Sequence, residues 1–272
     1  MTCLVVIPAR WGSSRFPGKP LAMIAGSPLL ARTIDLARRA ASGLADVEIV
    51  VSTDDPRVEA LAYAEGCEVV RTESSLTSGS ARALAAARLR SPAPATIVNL
   101  QGDAPFLPPA AVGAVIAALA EGAAVATPVV RLDWAGLDAL RRHKLDAPFS
   151  GTTCVVNPNG TARWFSKAII PAMRDEDALR QTTRWSPVFR HLGLYGYTLE
   201  ALHRFDAAPP APYERLEGLE QLRFLEMGID IHAVQLEERA GSGSFDIGGI
   251  DTPADVVLAE RLIAERGDPC RG

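Results

Sequence analysis

Lysine is nearly absent from this chain of 272 residues: of its 28 basic residues only Lys19, Lys144 and Lys167 are lysine, and the others are arginine. Basic charge is not in surplus either. The formal net charge of −4 argues against a general polyanion binder, since nucleic-acid domains carry a basic excess. A small anionic ligand held by a few local cations stays open. Cysteine is sparse: Cys3, Cys67, Cys154 and Cys270 form no C-x-x-C pair, and the four histidines lack ligand spacing. A disulfide scaffold or a zinc site is therefore not expected, and free thiols in a reducing cytoplasm are. Long apolar runs are missing too. The longest uncharged one, 110–120, is far below a membrane span, and the first, 3–7, is too short for a signal core and follows no basic segment. Neither nucleic acid nor membrane is an expected partner.

What is present alternates. Apolar, β-branched runs at 3–7, 47–52, 67–70, 96–101 and 123–130 predict strands, separated by helical periodicity at 29–41, 56–65, 79–89 and 109–120. Strands spaced by helices imply crossovers and a mostly parallel sheet covered on both faces. After about residue 133 the rhythm loosens, with strands expected at 153–156, 163–166, 192–197 and 229–236. A proline-rich linker is expected at 207–212, and helices at 216–227 and 253–266. The fold class expected is α/β, a doubly wound, Rossmann-like sheet. Residues 1–132 and 213–272 would form its core, and 133–212 a small inserted mixed α+β lobe. Ligands of such sheets sit beyond the carboxyl ends of the strands.

The loop after the first strand, PARWGSSRFPGKPL, gathers Arg10, Arg15, Lys19, two hydroxyls (Ser13, Ser14) and two glycines (Gly12, Gly18). Glycines let backbone N–H groups approach a ligand, arginine forks onto phosphate oxygens, and lysine acts as a point charge. Pro20 after Gly18-Lys19 excludes a Walker A loop, and the absent G-x-G-x-x-G disfavours a nicotinamide dehydrogenase. A solvated cationic turn is the plainer alternative. Two carboxylates also lack a structural task. Asp103 stands several residues before the helix expected at 109, and Asp251 precedes Thr252-Pro253-Ala254-Asp255, itself a capping box. A pair of free carboxylates suits Mg²⁺, which takes a few carboxylates plus substrate phosphates; ordinary loop solvation is the alternative.

The loop resembles the L-x(5)-P-A-R-x-x-S-x-R-x-P-G-K-x-L signature of sugar-acid cytidylyltransferases, and the chain is similar above all to the 3-deoxy-manno-octulosonate (Kdo) cytidylyltransferases. Ser52-Thr53-Asp54, Ser78-Gly79, Val98 to Asp103, Phe165-Ser166-Lys167, Arg190 to Tyr197, Leu219 to Arg223 and Gly249 to Pro253 follow in the family's order. The resemblance implies a nucleotidyltransferase fold, CTP as co-substrate, Mg²⁺ on Asp103 and Asp251, pyrophosphate release and a homodimer paired through the inserted lobe. It implies CTP contacts at Ala9, Arg10, Ser14, Arg15, Gly18, Lys19, Ser52, Thr53, Asp54, Ser78, Arg82, Gln101 and Asp103. Arg10, Lys19, Asp103 and Asp251 would carry the catalysis. Ser78 and Arg82 match positions near the family's cytosine pocket; a helix N-cap and a surface arginine are the alternatives.

Strand alternation puts His191, Gly193, Tyr195 and Tyr197 on one face, and Glu217, Glu220 and Gln221 would share one helix face. The resemblance turns Gln101, Lys167, His191, Tyr195, Glu217, Glu220 and Gln221 toward a small anionic acceptor; a half-buried sheet face and a solvated helix face are the alternatives. Four positions depart from the family pattern. Ala81 and Ala104 stand where acidic residues are usual, Thr153 where a strand lysine is, and Lys167 where arginine is common. Acceptor surroundings are altered more than the donor half. The same reaction on a small phosphonate is thus a second reading, and a non-catalytic nucleotide-binding homologue a third.

Overall fold

Six consecutive buried residues open the structure as β1 (Cys3–Pro8). The computed structural model describes residues 2–12, 15–236 and 249–268; Ser14, expected at the nucleotide, its neighbour Ser13, and Cys270 lie outside the described residues. A small ribbon follows, β2 (Met23–Ile24) and β3 (Ser27–Pro28). The alternating half then runs α1 (Leu29–Ala41), β4 (Val47–Thr53), α2 (Pro56–Ala64), β5 (Glu68–Arg71), α3 (Gly79–Arg88), β6 (Thr96–Leu100), α4 (Pro109–Ala120) and β7 (Val125–Asp133). The second half comprises α5 (Trp134–Asp146), β8 (Thr153–Val156), β9 (Ala162–Ser166), α6 (Glu176–Thr182), β10 (Trp185–His191) and β11 (Leu194–Thr198). It closes with α7 (Leu199–Ala207), α8 (Pro212–Glu217), α9 (Gln221–Glu226), β12 (Ile231–Leu236) and α10 (Pro253–Arg266).

Nearly all the strands join one sheet in the order β5-β4-β1-β6-β11-β7-β10-β8-β9, with β12 on the other edge of β7. β5, β4, β1 and β6 are mutually parallel, as are β7 and β12. This is the doubly wound α/β arrangement expected. Within it, the strands from residues 133–212 run antiparallel and hydrogen-bond directly into the main sheet: β11 lies between β6 and β7, and β10 continues along β7 and carries the β8–β9 hairpin. A bridge from Thr161 to His232 links that hairpin to β12.

Alternation along β1 divides the core. Leu4 and Val6 face α3 and α7, packing with Leu84, Leu202 and Phe205. Val5 and Ile7 face α1 and α4, packing with Leu30, Ile34, Val112 and Val115. Both faces are therefore covered, which is why these strands read as unbroken apolar runs. The cysteines within the described residues are free and buried, and burial alone pushes the Cys154 thiol up to about 12. No described helix is long and apolar enough to cross a membrane.

One helix was expected over 216–227, and two are found. Gly218, at φ +64°, caps α8 in the left-handed conformation, the usual way a glycine ends a helix. Glu217 and Glu220 therefore fall on opposite sides of a break and do not share one helical face.

Candidate active site

The loop after β1 is pinned where its sequence suggested it would be. Gly18 adopts φ +73° and its N–H donates to Trp11 O at 3.0 Å, closing the turn. The Trp11 ring packs beneath, and the Arg57 guanidinium lies 3.3 Å over that ring. From this turn Lys19 reaches both carboxylates singled out above: Nζ is 2.6 Å from Asp103 Oδ2 and 3.2 Å from Asp251 Oδ1. Arg15 Nη2 adds a contact to Asp251 Oδ1 at 3.1 Å.

These side chains come from distant parts of the sequence because the strand ends converge. Asp103 follows β6, the parallel neighbour of β1. The 249–251 segment is tied to it by Ile250 N–H donating to Asp103 O at 2.8 Å. Thr252 caps α10 and Asp255 reciprocates onto the Thr252 and Asp251 N–H groups, so neither aspartate's side chain is consumed by the helix. Among the described residues no cluster of three or more His, Cys, Asp or Glu could hold a metal ion. The protein thus offers two hard oxygen donors and leaves further coordination to other ligands, a set that fits Mg²⁺ completed by phosphates and water rather than zinc.

The residues expected around the base are tied into the scaffold. Ser52 Oγ shares a hydrogen bond with Thr72 Oγ1 at 3.0 Å, and Thr53 Oγ1 accepts from Asp55 N–H. Ser78 is the N-cap of α3, accepting from Ala81 N–H at 3.0 Å. Arg82 is not a surface residue: at 1% exposure it donates to Leu76 O and Thr72 Oγ1. Its Nη2 lies 3.2 Å from Asp54 Oδ1, an ion pair too poorly aligned to count as a hydrogen bond. Burial lowers the Arg82 pKa; Asp54 opposes that shift and nearby Arg10 adds to it.

Farther along β6 and β11 the acceptor-side candidates meet. The rings follow one another, Phe165 edge-on to His191 (5.4 Å), His191 tilted against Tyr195 (5.2 Å) and Tyr195 stacked on Tyr197 (6.0 Å); the side chains expected on one strand share a face, but they come from two strands, His191 from the end of β10 and the tyrosines from β11. His191 Nε2 lies 2.9 Å from Thr127 Oγ1, whose proton goes to Leu194 O at 2.7 Å. That chain assigns the Nε2–H tautomer and leaves Nδ1 as an acceptor. His191 and Tyr195 are each partly exposed. Two buried polar atoms in this region, Tyr195 Oη and Gln221 Nε2, make no hydrogen bond. Thr127 is within reach of Tyr195, but its hydroxyl is already spent on His191 and Leu194. Burial is the main cause that raises the Tyr195 and Tyr197 phenols.

Glu220 accepts from Ser80 Oγ at 2.7 Å, and Ser80 and Asn99 serve the Tyr197 hydroxyl. Gln101 donates to Asn99 Oδ1 at 3.0 Å. Glu217 is committed to the end of β9, with Ser166 Oγ and Lys167 N–H each at 2.8 Å. Among the described residues the Lys167 ammonium makes no hydrogen bond or ion pair, and burial lowers its pKa. Asn99, Ser80 and Thr127 were missed in the sequence, although a polar residue inside an otherwise apolar strand, as at Asn99 and Thr127, is the signal that could have found two of them.

Burial and, secondarily, the Lys167 charge hold the His191 pKa down to about 3. The expected result is an imidazole that stays neutral from pH 8 to about 5, against an ordinary midpoint near 6.5. A proton NMR titration of its ring should show no inflection there; one near 6.5 would refute the enclosure. Because the folded value lies below the unfolded one, stability from neutral His191 is present above about pH 6.5 and is lost as pH falls toward 3.

A family model described as Cytidylyltransferase matches residues 4–231. The 3-deoxy-manno-octulosonate cytidylyltransferase of Maricaulis maris is 40% identical over 98% of this chain and 99% of its own length. The chain belongs to this cytidylyltransferase family. A second Kdo cytidylyltransferase, from Anaeromyxobacter dehalogenans, is 41% identical over 96% of this chain and 97% of its own. Among solved structures, the CMP:2-keto-3-deoxy-manno-octonic acid synthetase complexed with CTP is 31% identical with a TM-score of 0.78, covering 97% of this chain and 99% of that one. The resemblance carried by the loop and by the later motifs is met, and with it the enzyme class, a nucleotidyltransferase.

Proposed function

We propose that this cytidylyltransferase transfers CMP from CTP to Kdo and releases pyrophosphate, with Mg²⁺ held by Asp103 and Asp251. One observation carries the reading: Lys19, on the loop after β1, meets two otherwise untasked carboxylates from the ends of β6 and the 249–251 segment. Cations and carboxylates concentrated at one crevice are what phosphoryl transfer asks for, since its catalysis is positioning and charge neutralisation. Arg10, Arg15 and Lys19 bind the triphosphate and draw charge onto the leaving pyrophosphate. The acceptor hydroxyl oxygen forms a bond to the α-phosphorus, and the bond from that phosphorus to the bridging oxygen breaks with its electron pair leaving on pyrophosphate. When bound, the metal would offset phosphate charge and acidify the attacking hydroxyl. The hydroxyl proton passes to solvent, as no histidine or glutamate is assigned as a base.

Lys167, His191, Tyr195 and Gln221 face the acceptor in this reading, with Gln101 between the two halves and Glu217 and Glu220 as supports. Residues 1–132 and 213–272 hold the nucleotide, and 133–212 the acceptor and the pairing face of a homodimer. Leu145 and Phe149, largely exposed on that segment, suit such a face. The named relatives favour Kdo over a phosphonate. The deciding experiment measures pyrophosphate release with CTP, Mg²⁺ and a panel of acids. Turnover of Kdo well above that of phosphonoformate is expected. Preference for the phosphonate would overturn the acceptor, and CTP binding indifferent to Mg²⁺ with no turnover of any acid would overturn the enzyme.

A further inference from the structure

Only three lysines occur in this chain, and two of them meet beside the residues assigned to the acceptor. Lys144, in the last turn of α5 and partly exposed, sets its ammonium among main-chain oxygens: Lys167 O at 2.6 Å, Ser150 O at 2.7 Å, Gly151 O at 2.8 Å and Pro148 O at 3.3 Å. Three short bonds use all three of its N–H donors. A guanidinium, whose donors spread in a plane, cannot converge on such a cage, which accounts for a lysine in an arginine-rich chain. No carboxylate lies within ion-pair distance of Lys144 among the described residues.

The cage has a direction. Lys144 holds the carbonyl of Lys167, while Glu217 Oε2 holds the N–H of the same residue at 2.8 Å and Glu217 Oε1 holds Ser166 Oγ. The backbone of Lys167 is clamped on both sides, and its own ammonium is unpaired among the described residues. Charge points the same way. Lys144 and Lys167 set two ammonium groups against one carboxylate, Glu217, at this end of the sheet, which favours an anionic ligand beside them.

We propose that Lys144 is a positioning residue for acceptor recognition: by fixing the Lys167 peptide against Glu217, it aims the Lys167 ammonium at the carboxylate of the acceptor. This inference rests on the sugar-acid reading above, and the test separates the two. In Lys144→Met the acceptor KM rises roughly tenfold, a loss of binding near 1.4 kcal/mol, while the KM for CTP stays within about twofold. Because Lys144 acts through Lys167, adding Lys144→Met to Lys167→Met raises the acceptor KM no further. Should Lys144→Met fail to fold, Lys144→Gln, whose amide keeps two donors, gives the same split with a smaller rise. An unchanged acceptor KM in a folded variant, equal rises in both KM values, or additive effects with Lys167→Met would each overturn the proposal. Absence of turnover in the unmodified enzyme would instead overturn the sugar-acid reading.

Discussion

Asp103→Asn and Asp251→Asn are each expected to lower kcat by on the order of 10³-fold or more, with the fold intact. The size follows from what the change removes. Each carboxylate contributes a charge and a hard oxygen to the crevice where phosphate charge must be offset, and contributions of several kcal/mol translate at about 1.4 kcal/mol per tenfold in rate. The harmlessness to folding follows from the surroundings. Asp103 and Asp251 keep 30% and 45% of their side-chain surface, and both carboxylates meet cations of the β1 loop. The ties that hold these segments together, Ile250 N–H to Asp103 O and Asp255 onto the Asp251 N–H, survive the substitution. Kinetics would be read beside circular dichroism. Near-normal turnover in either variant refutes the assignment of that residue; equal loss of structure and rate would mean the carboxylates are scaffold.

A second large effect is expected from one methyl group. Built onto Gly102, a Cβ would sit 2.7 Å from Pro8 O and 3.5 Å from the Ala9 Cβ. The first of these neighbours is backbone, so no flexible side chain can yield. The ends of β1 and β6 would have to part, and these are the ends that deliver Arg10 and Asp103. Gly102→Ala is therefore expected to lose about 10²-fold in kcat, the scale at which a misplacement near 1 Å costs catalysis, and to cost about 1–3 kcal/mol in stability, as overpacking does. Thermal unfolding and steady-state kinetics check both. A variant with unchanged Tm and unchanged kcat would show that the strands close around the methyl and that their spacing does not set the geometry.

Parts of this were legible in the sequence, and the reasons differ. The first half could be read because parallel strands covered on both faces are unbroken apolar runs, and the helices between them carry clear periodicity. The meeting of Lys19 with two carboxylates was foreshadowed by the cations concentrated between Arg10 and Lys19, and by Asp251 standing beside a Thr252 that already filled the capping role. The second half was less readable. α5 buries only Leu137 and Leu140 among its thirteen residues, so its apolar stripe is faint. α7 begins directly at Thr198, with no breaker after β11 to announce it. β10 contains Pro187 and shifts register against β7, which hides its alternation. Gly218 broke a helix whose periodicity continued past it. A surface arginine stood as the alternative for Arg82, and only the fold reveals that it is buried and spans from α3 to Asp54 and Thr72.

Lys19 also has a consequence for the order in which the site fills. A lysine side chain with 13% of its surface exposed, its ammonium bonded at once to two carboxylates, acts as a built-in stand-in for a cation. A divalent ion arriving alone must evict it against both bonds. A triphosphate offers the same ammonium new oxygens, and its departure frees the seat. If the proposed metal binds at these carboxylates, its occupancy would be contingent on nucleotide, while Lys19 and Arg15 together offset the two charges.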